Sequence, residues 1–137
     1  MSEERIILRV VAALIVRDGR VLLCQRNEDD VFGLQWEFPG GEVEDGETDQ
    51  QALAREIREE LDVRVRVDEL VGQFDDTIGN KTVQVFLYRC HTVAGRFTPV
   101  ECRGFTFSSP RDAFDLDLAP VDRKIAAFLR EGRYADI

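Results

Sequence analysis

The chain of 137 residues is long enough for one domain with a hydrophobic core and too short for two, so we expect a single domain over residues 1–137. An apolar content of 44% excludes intrinsic disorder, and a net charge of −9 opposes binding to DNA or RNA. Because no apolar run is long enough to span a membrane and the charged first residues do not resemble a signal peptide, we expect a soluble, cytoplasmic protein.

The cysteines and the single histidine restrict the possible chemistry. The chain has an odd number of cysteines, and none of the three, Cys24, Cys90 and Cys102, lies in a C-x-x-C pair. Neither a disulfide framework nor a cysteine zinc site is therefore indicated. We expect the three cysteines to be structural. His91 is the only histidine, which excludes zinc hydrolysis of the H-E-x-x-H type, and no serine lies in a G-x-S-x-G motif. Catalysis must therefore rest on carboxylates.

Apolar and β-branched residues predict a series of strands in chain order. They lie at residues 6–16, 21–24, 36–38, 63–67, 83–87 and 105–107. The first is nearly continuously apolar, as expected of a strand buried on both faces, and Asp18-Gly19 predicts a tight turn after it. Residues 27–35 are polar and indicate a loop, whereas Pro39-Gly40-Gly41 closes the short third strand.

Two helices are predicted between and after these strands. The first runs from Asp49 to Leu61 behind a capping box of Thr48 and Gln51, and the second from Pro120 to Arg130. Ser109-Pro110 opens a short helical turn before the second helix. The order of strands, helix, strands and helix predicts an α+β or α/β layered domain with a mixed sheet.

Three glutamates on the first helix suggest a site. Glu56, Glu59 and Glu60 stand at i, i+3 and i+4, within about 5–6 Å of one another on one helix face. Their mutual repulsion weakens the helix unless hard cations such as magnesium, which prefer oxygen ligands, lie between them. A solvated acidic face is the alternative, but Gly40-Gly41 before the helix brings a backbone carbonyl within reach of a metal.

The segment from Gly41 to Val63 resembles the Nudix box, G-x5-E-x7-R-E-U-x-E-E-x-G-U, in which U is aliphatic. Glu47 follows Gly41 after five residues, and Arg55 then begins the run R-E-I-R-E-E-L-D-V. Every fixed position matches except Asp62, which stands where the family has glycine. Asp62 lies at the predicted helix end, where we expect a left-handed conformation, a small loss of stability and an intact site.

The resemblance implies a fold, a reaction and a cofactor. Residues 36–41, W-E-F-P-G-G, resemble the MutT-type branch, which implies an α/β/α layered sandwich with its mixed sheet between the two helices. The implied activity is hydrolysis of a (d)NTP, such as 8-oxo-dGTP, CTP or modified dCTP, to a nucleoside monophosphate and pyrophosphate. Mg²⁺, or Mn²⁺ in its place, would assist the attack of water on phosphorus, and the implied role is sanitation of the nucleotide pool.

The resemblance also implies a role for each matching residue. The metal ligands would be the Gly40 carbonyl, Glu56, Glu59, Glu60 and Glu101. Arg55 and Glu47 would orient these ligands, and Arg26 would contact a substrate phosphate. Either Glu56 or Glu101 would be the general base, and the sequence does not decide between them. Glu101 as an ordinary loop acid and Arg26 as a surface arginine are the alternatives.

Residues 118–122 resemble the segment that reads the nucleobase in MutT-type enzymes. The member that acts on 8-oxo-dGTP commonly has asparagine at the position of Asp122. An ionised Asp122 only accepts hydrogen bonds, so it would favour a base edge rich in donors, such as an exocyclic amine. Alternatively, Asp122 merely complements the dipole of the helix that Pro120 begins.

Other functions remain open at this point. A Nudix hydrolase of ADP-ribose or another dinucleotide is one alternative, although the chain lacks the extra segments that such enzymes often carry. A non-catalytic nucleotide-binding module is another, although such modules usually lose box glutamates. In each case the partner would be a small nucleotide rather than a nucleic acid polymer or a membrane, and the protein a monomer or a homodimer.

Overall fold

A computed structural model describes residues 4–134 and residue 137. Their elements, in chain order, are β1 (Ile6–Leu14), β2 (Val16–Arg17), β3 (Arg20–Gln25), β4 (Trp36–Glu37), β5 (Gly40–Glu42), α1 (Asp49–Leu61), β6 (Val63–Ile78), β7 (Lys81–Gly95), β8 (Gly104–Ser108), a 3₁₀ turn (Asp112–Asp115) and α2 (Pro120–Arg130). Over the described part of the chain, no helix has both the length and the apolar character needed to cross a membrane.

The strands form two sheets between the helices. The first has the order β5-β1-β7-β6 and is mixed, because β1 is parallel to β7 whereas its pairing with β5 and that of β6 with β7 are antiparallel. In the second, β3 pairs antiparallel with β2, β4 and β8. The predicted α+β architecture with a mixed sheet is therefore confirmed, and the second sheet is an addition to it.

The side chains of β1 alternate between two hydrophobic clusters, as the period of two of a strand requires. Val11 and Ala13 pack on one side with Leu53 and Ile57 of α1. Leu14 packs on the other side with residues of α2, so that a helix covers each side of the strands. This arrangement is the expected α/β/α layering.

Burial of β1 on both faces holds only for its second half. Val11 and Leu14 are fully buried, but Ile6 and Ile7 are 46% and 57% exposed. The first residues of β1 pair with the start of β7, beyond the part of the sheet that the helices cover. The apolar run at residues 6–16 therefore predicted the strand correctly. The prediction that this strand is buried on both faces was wrong for its first residues.

The boundaries of both α-helices match the prediction. Thr48 accepts a hydrogen bond from the Gln51 amide and its own amide donates to the Gln51 side chain, which completes the capping box. Asp62 ends α1 with φ at 56°, the left-handed conformation expected there. The Asp18-Gly19 turn is also confirmed, with φ of 52° and 75°.

Strand β5 was not predicted, because Pro39-Gly40-Gly41 was expected only to close the strand before it. Gly40 pairs with Ala12, and a Cβ on Gly40 would lie only 1.9 Å from the carbonyl oxygen of Val11. Glycine is thus needed because the two backbones approach closely, not because the chain turns. This contact fixes the position of the segment that precedes α1.

Candidate active site

Gly41 lets the loop before α1 lie against a carboxylate. A Cβ at this position would be 2.4 Å from the Glu56 carboxyl carbon, so any larger residue would displace Glu56. The backbone of β5 and the middle of α1 are therefore held in direct contact. Glu56 belongs to the lining of a cleft of about 580 Å³ at this junction.

Arg55 connects the loop to the glutamates of α1. Its Nε and Nη2 donate to the two carboxylate oxygens of Glu47 at 2.7 and 2.9 Å, and Nη1 donates to Glu56 Oε1 at 2.9 Å. These bonds raise the pKa of Arg55 and lower the pKa of Glu47, because each charge stabilises the other. Arg55 is thus hydrogen bonded to both Glu47 and Glu56, and its two-point contact goes to Glu47.

Glu60 has a buried carboxylate oxygen without a partner. Its Oε2 accepts no hydrogen bond from the described residues. Burial, followed by the charges of Glu37 and Glu56, raises the pKa of Glu60 well above its usual value. A buried, unpaired carboxylate oxygen is costly, and a cation at this position would stabilise it.

Glu101 lies on the loop before β8 and lines the same cleft as Glu56 and Glu60. The Glu101 side chain raises the pKa of Glu56, although burial of Glu56 contributes most to that shift. Its backbone is held by Asn27, whose Nδ2 donates to the Glu101 carbonyl at 2.6 Å, and by its amide, which lies 3.3 Å from the Glu60 carbonyl. The structure therefore brings Glu56, Glu60 and Glu101 to one cleft.

Glu59 lies further out than the other box glutamates. Its side chain is 44% exposed, is 3.3 Å from Arg55 Nη1 and is not part of the cleft lining. Within residues 4–134 and 137, no three His, Cys, Asp or Glu side chains form a ready-made metal site. Because like charges repel, we ascribe the outward position of Glu59 to repulsion from the other carboxylates. A cation would have to offset this repulsion before the carboxylates could converge.

The donor set nevertheless fits a hard divalent cation. Carboxylate oxygens and a backbone carbonyl are the ligands that magnesium prefers, and Glu60 Oε2 is an orphaned acceptor among them. The closeness of Gly41 to Glu56 leaves no room for a side chain that would block the position.

Further along the cleft, Arg26 is held by Glu37. Its Nη1 donates to both Glu37 carboxylate oxygens at 3.0 Å, and its Nε donates to the Val31 carbonyl at 2.7 Å. Burial raises the pKa of Glu37, and the charge of Arg26 opposes that shift. Arg26 lines the cleft, but part of its donor capacity is used within the protein.

Glu37 is a site residue that the sequence analysis missed. The W-E-F-P-G-G motif was used only to choose a branch of the family, although a charged residue between Trp36 and Phe38 in a short strand is itself unusual. In the structure the charge of Glu37 raises the pKa values of both Glu60 and Asp122. Glu37, Glu60 and Asp122 all belong to the lining of the cleft.

Asp122 combines features of both interpretations given above. It is 5% exposed in the first turn of α2 and belongs to the cleft lining. Its Oδ1 accepts a hydrogen bond from the Phe38 amide at 2.9 Å. Burial, and next the charge of Glu37, raises the pKa of Asp122 well above its usual value. The residue thus connects the first turn of α2 to Phe38, the residue that follows β4.

Fold and site together define an α/β/α domain with a cleft lined by carboxylates. The NUDIX domain model matches residues 7–129. A CTP pyrophosphohydrolase of Escherichia coli (strain K12) is 38% identical over 133 residues, 94% of this chain and 98% of that protein. An 8-oxo-dGTP diphosphatase of Haemophilus influenzae is 37% identical over 86 residues, 62% of this chain and 63% of that protein.

A solved structure extends the similarity to the fold. The solution structure of the E. coli ORF135 protein has a TM-score of 0.84 and 32% sequence identity, covering 96% of this chain and 94% of that one. The chain therefore belongs to the Nudix family and is a Nudix hydrolase.

Proposed function

We propose that the protein is a Mg²⁺-dependent nucleoside triphosphate pyrophosphohydrolase, which converts a (d)NTP to a nucleoside monophosphate and pyrophosphate. The observation that carries the proposal is the buried, unpartnered oxygen of Glu60 in a cleft that also contains Glu56 and Glu101. The relative named a CTP pyrophosphohydrolase, which aligns over 94% of the chain, supports the same reaction.

The charge of the cleft supports a need for metal. Its lining contains eight acidic side chains and two basic ones, Arg26 and Lys81. A triphosphate is a polyanion, so Coulomb repulsion opposes its entry into such a cleft. Divalent cations would reverse the sign of that interaction. Mg²⁺ suits the oxygen donors, and Mn²⁺ would substitute because it accepts the same ligands.

Five residues would hold the metal. They are Gly40 through its carbonyl, Glu56, Glu59, Glu60 and Glu101. When bound, the cations neutralise phosphate oxygens, acidify the attacking water and stabilise the leaving pyrophosphate. Glu59 must rotate inward from its exposed position to join them, whereas Arg55 and Glu47 keep Glu56 in place.

The proton from the attacking water would pass to Glu56 or Glu101, which both lie at the cleft beside Glu60. Replacement of each by glutamine separates the two roles. Loss of the base removes the acid limb of the kcat against pH profile, whereas loss of a ligand raises the Mg²⁺ concentration needed for half-maximal rate.

At the other end of the cleft, Arg26 would bind a phosphate and Asp122 the base. Guanidinium forms multiple hydrogen bonds with phosphate oxygens, and Arg26 is held in position by Glu37. In its ionised form Asp122 only accepts hydrogen bonds, so it would favour a base edge rich in donors, such as the exocyclic amine of cytosine. The relative named a CTP pyrophosphohydrolase, which aligns over 94% of this chain, favours CTP or a modified dCTP over 8-oxo-dGTP, the substrate named for the Haemophilus influenzae relative.

A panel of substrates tests the proposal. We expect pyrophosphate release from triphosphates in Mg²⁺, with CTP or dCTP preferred, and much slower cleavage of ADP-ribose. A preference for ADP-ribose would identify a dinucleotide hydrolase instead. Nucleotide binding without turnover of any substrate would identify a binding module. Preference for 8-oxo-dGTP would retain the reaction and overturn the assignment of the base.

A further inference from the structure

Phe32 is an aromatic residue that lies outside both hydrophobic clusters of the protein. Of the nine phenylalanines in the chain, the other eight pack in one of the two clusters. Phe32 lies in the loop between β3 and β4 and is 45% exposed, and Val31 before it is 73% exposed. Contact with a ligand would remove this apolar surface from water and would therefore be favourable.

The backbone of this loop holds Phe32 in a conformation that large residues avoid. Its φ is 58°, in the left-handed region, and the φ of Leu34 is 66°. A Cβ is disfavoured there, and for a bulky side chain the conformation is rare. Gly33 between them permits the tight turn, since a Cβ on it would clash with the carbonyl oxygen of Glu28. Strained residues of this kind cluster at active sites and ligand clamps.

Hydrogen bonds connect the loop to the proposed phosphate contact. Arg26 Nε donates to the carbonyl of Val31 at 2.7 Å, and the Leu34 amide donates to the carbonyl of Arg26 at 3.2 Å. Phe32 thus follows directly after the residue that the Arg26 guanidinium holds. Arg26 and Phe32 also both line the cleft.

The cleft has an apolar part as well as its carboxylates. Neighbouring residues of β1 and β7 line it in register, Leu8 with Val83 and Val10 with Val85. Two of the described lining residues are aromatic, Phe32 and Phe38, and Phe38 is only 3% exposed. Phe32 is therefore the aromatic ring that a ligand can reach. A nucleoside triphosphate has the same two parts, since its phosphates are charged whereas the faces of its base are apolar and aromatic.

We propose that Phe32 binds the nucleobase of the substrate by stacking on its face, an assignment that rests on the proposed function. Every base has an aromatic face, so stacking adds affinity without choosing among bases. Because the hydrogen-bonded loop orders the residue before substrate arrives, less conformational entropy is lost on binding. Phe32 and Asp122 then have separate roles, since the ring contacts the face of the base and the carboxylate its edge.

Binding of two ligands in Mg²⁺ tests the proposal. The first, α,β-methylene-CTP, carries a base and resists hydrolysis at the bond that the proposed reaction breaks, whereas the second, tripolyphosphate, has no base. We expect Phe32→Ala to weaken binding of α,β-methylene-CTP by about tenfold or more, because stacking is lost. The Kd of tripolyphosphate should not change. Isothermal titration calorimetry of the full chain measures both values.

Leu34→Ala is the matched control. Leu34 shares the loop, the left-handed conformation and a similar exposure of 39% with Phe32, but it is not part of the cleft lining. We expect both Kd values of this variant to match wild type. Phe32→Trp keeps an aromatic ring and should retain the affinity for α,β-methylene-CTP. After subtraction of the Trp36 signal of wild type, its fluorescence should be quenched by this analogue and not by tripolyphosphate.

Any of four results would overturn the proposal. They are no binding of α,β-methylene-CTP by wild type, unchanged binding by Phe32→Ala, an equal loss of tripolyphosphate binding in that variant, and an equal loss of α,β-methylene-CTP binding in Leu34→Ala. If wild type binds the analogue but hydrolyses no triphosphate, the proposed function fails, whereas the Kd values still decide whether the ring contacts the base.

Discussion

At the scale of single residues, the cleft is dominated by carboxylates whose charged forms the protein disfavours. Burial and neighbouring acids raise the pKa values of Glu37, Glu56, Glu60 and Asp122. Arg26 and Arg55 compensate for part of this cost, but neither approaches Glu60 Oε2. The unfavourable interactions of the metal-free protein thus indicate where cations would be bound.

Glu60→Gln tests whether the buried charge of Glu60 destabilises the metal-free protein and supports catalysis when metal is bound. We expect kcat to fall by about 10²-fold or more, because a preorganised charge is lost from the site. The metal-free variant should be more stable than wild type, since a buried charge beside Glu37 and Glu56 is removed. Steady-state kinetics and thermal denaturation in EDTA measure the two effects.

Asp45→Asn is the control for Glu60→Gln. Asp45 belongs to the same acidic segment but is exposed and does not line the cleft. We expect its kinetics and stability to match wild type. Equal losses of activity in both variants would mean that the acidic segment acts as a solvated surface.

Asp122→Asn tests whether the side chain at this position hydrogen bonds to the nucleobase. The amide oxygen retains the hydrogen bond from the Phe38 amide, while the new NH₂ group donates to the base. A hydrogen bond to a charged group contributes roughly 1.5–3 kcal/mol. The ratio of kcat/KM between cytosine and 8-oxo-guanine nucleotides should therefore shrink by about tenfold or more.

Asp122→Ala is the companion variant for this prediction. It leaves the buried Phe38 amide without its acceptor, at a cost to stability of about 1–3 kcal/mol. Weakened discrimination in both variants would support contact with the base. An unchanged ranking of substrates in Asp122→Asn would show that the carboxylate only joins α2 to β4.

At the scale of elements, the helices were predictable and several strand features were not. Capping and apolar periodicity are local, so Asp49–Leu61 and Pro120–Arg130 follow from short stretches of sequence. Strand β5 depends on a long-range pairing with β1, which the local Gly40-Gly41 sequence conceals. The length of β6 also depends on long-range pairing. The strand runs to Ile78 because it pairs with β7 across three shifts in register.

The site residues also divide into those that local sequence predicts and those that depend on long-range contacts. Helical spacing predicts that Glu56 and Glu60 lie close together, whereas Glu47 and Arg55 were expected beside them from the resemblance to the Nudix box. Glu37 is hydrogen bonded to Arg26 of the loop between β3 and β4 and lines the same cleft as Asp122, which a distant segment supplies, so no spacing in the sequence revealed it. The outward position of Glu59 also required the structure, because helical spacing alone places it beside its neighbours.

The end of α1 supports a prediction at this scale. Asp62 holds φ at 56°, a conformation that costs most L-residues about 1–2 kcal/mol and glycine nothing. Because aspartate tolerates this conformation better than most residues, Asp62→Gly should raise the free energy of unfolding by up to about 1 kcal/mol. Chemical denaturation measures this change. Kinetic constants should not change, and a marked fall in kcat would instead show that Asp62 supports the site.

At the scale of the whole molecule, the buried acids make stability dependent on pH. A carboxyl whose pKa is raised by folding stabilises the protein fully below its unfolded pKa, near 4, and loses that contribution as pH rises through the folded pKa. Glu60 and Asp122 both belong to this class. The metal-free protein should therefore be less stable at about pH 8 than at about pH 5.

Carboxylates with lowered pKa values do not obscure this dependence. Glu47, Asp49 and Asp68 stabilise the fold above their unfolded pKa values and lose that contribution only as pH falls below about 4. Denaturation in EDTA at both pH values, with Glu60→Gln as the comparison, measures the effect. A wild-type slope equal to that of Glu60→Gln would exclude Glu60 as its source.

Hydrolysis of CTP with and without free Mg²⁺ tests the central claim most directly. The account predicts CMP and pyrophosphate in a one-to-one ratio, no turnover in excess EDTA, and full recovery when Mg²⁺ is restored. The products are resolved by ion-exchange chromatography, without an added pyrophosphatase. Undiminished turnover in EDTA, or release of single phosphates in place of pyrophosphate, would contradict it.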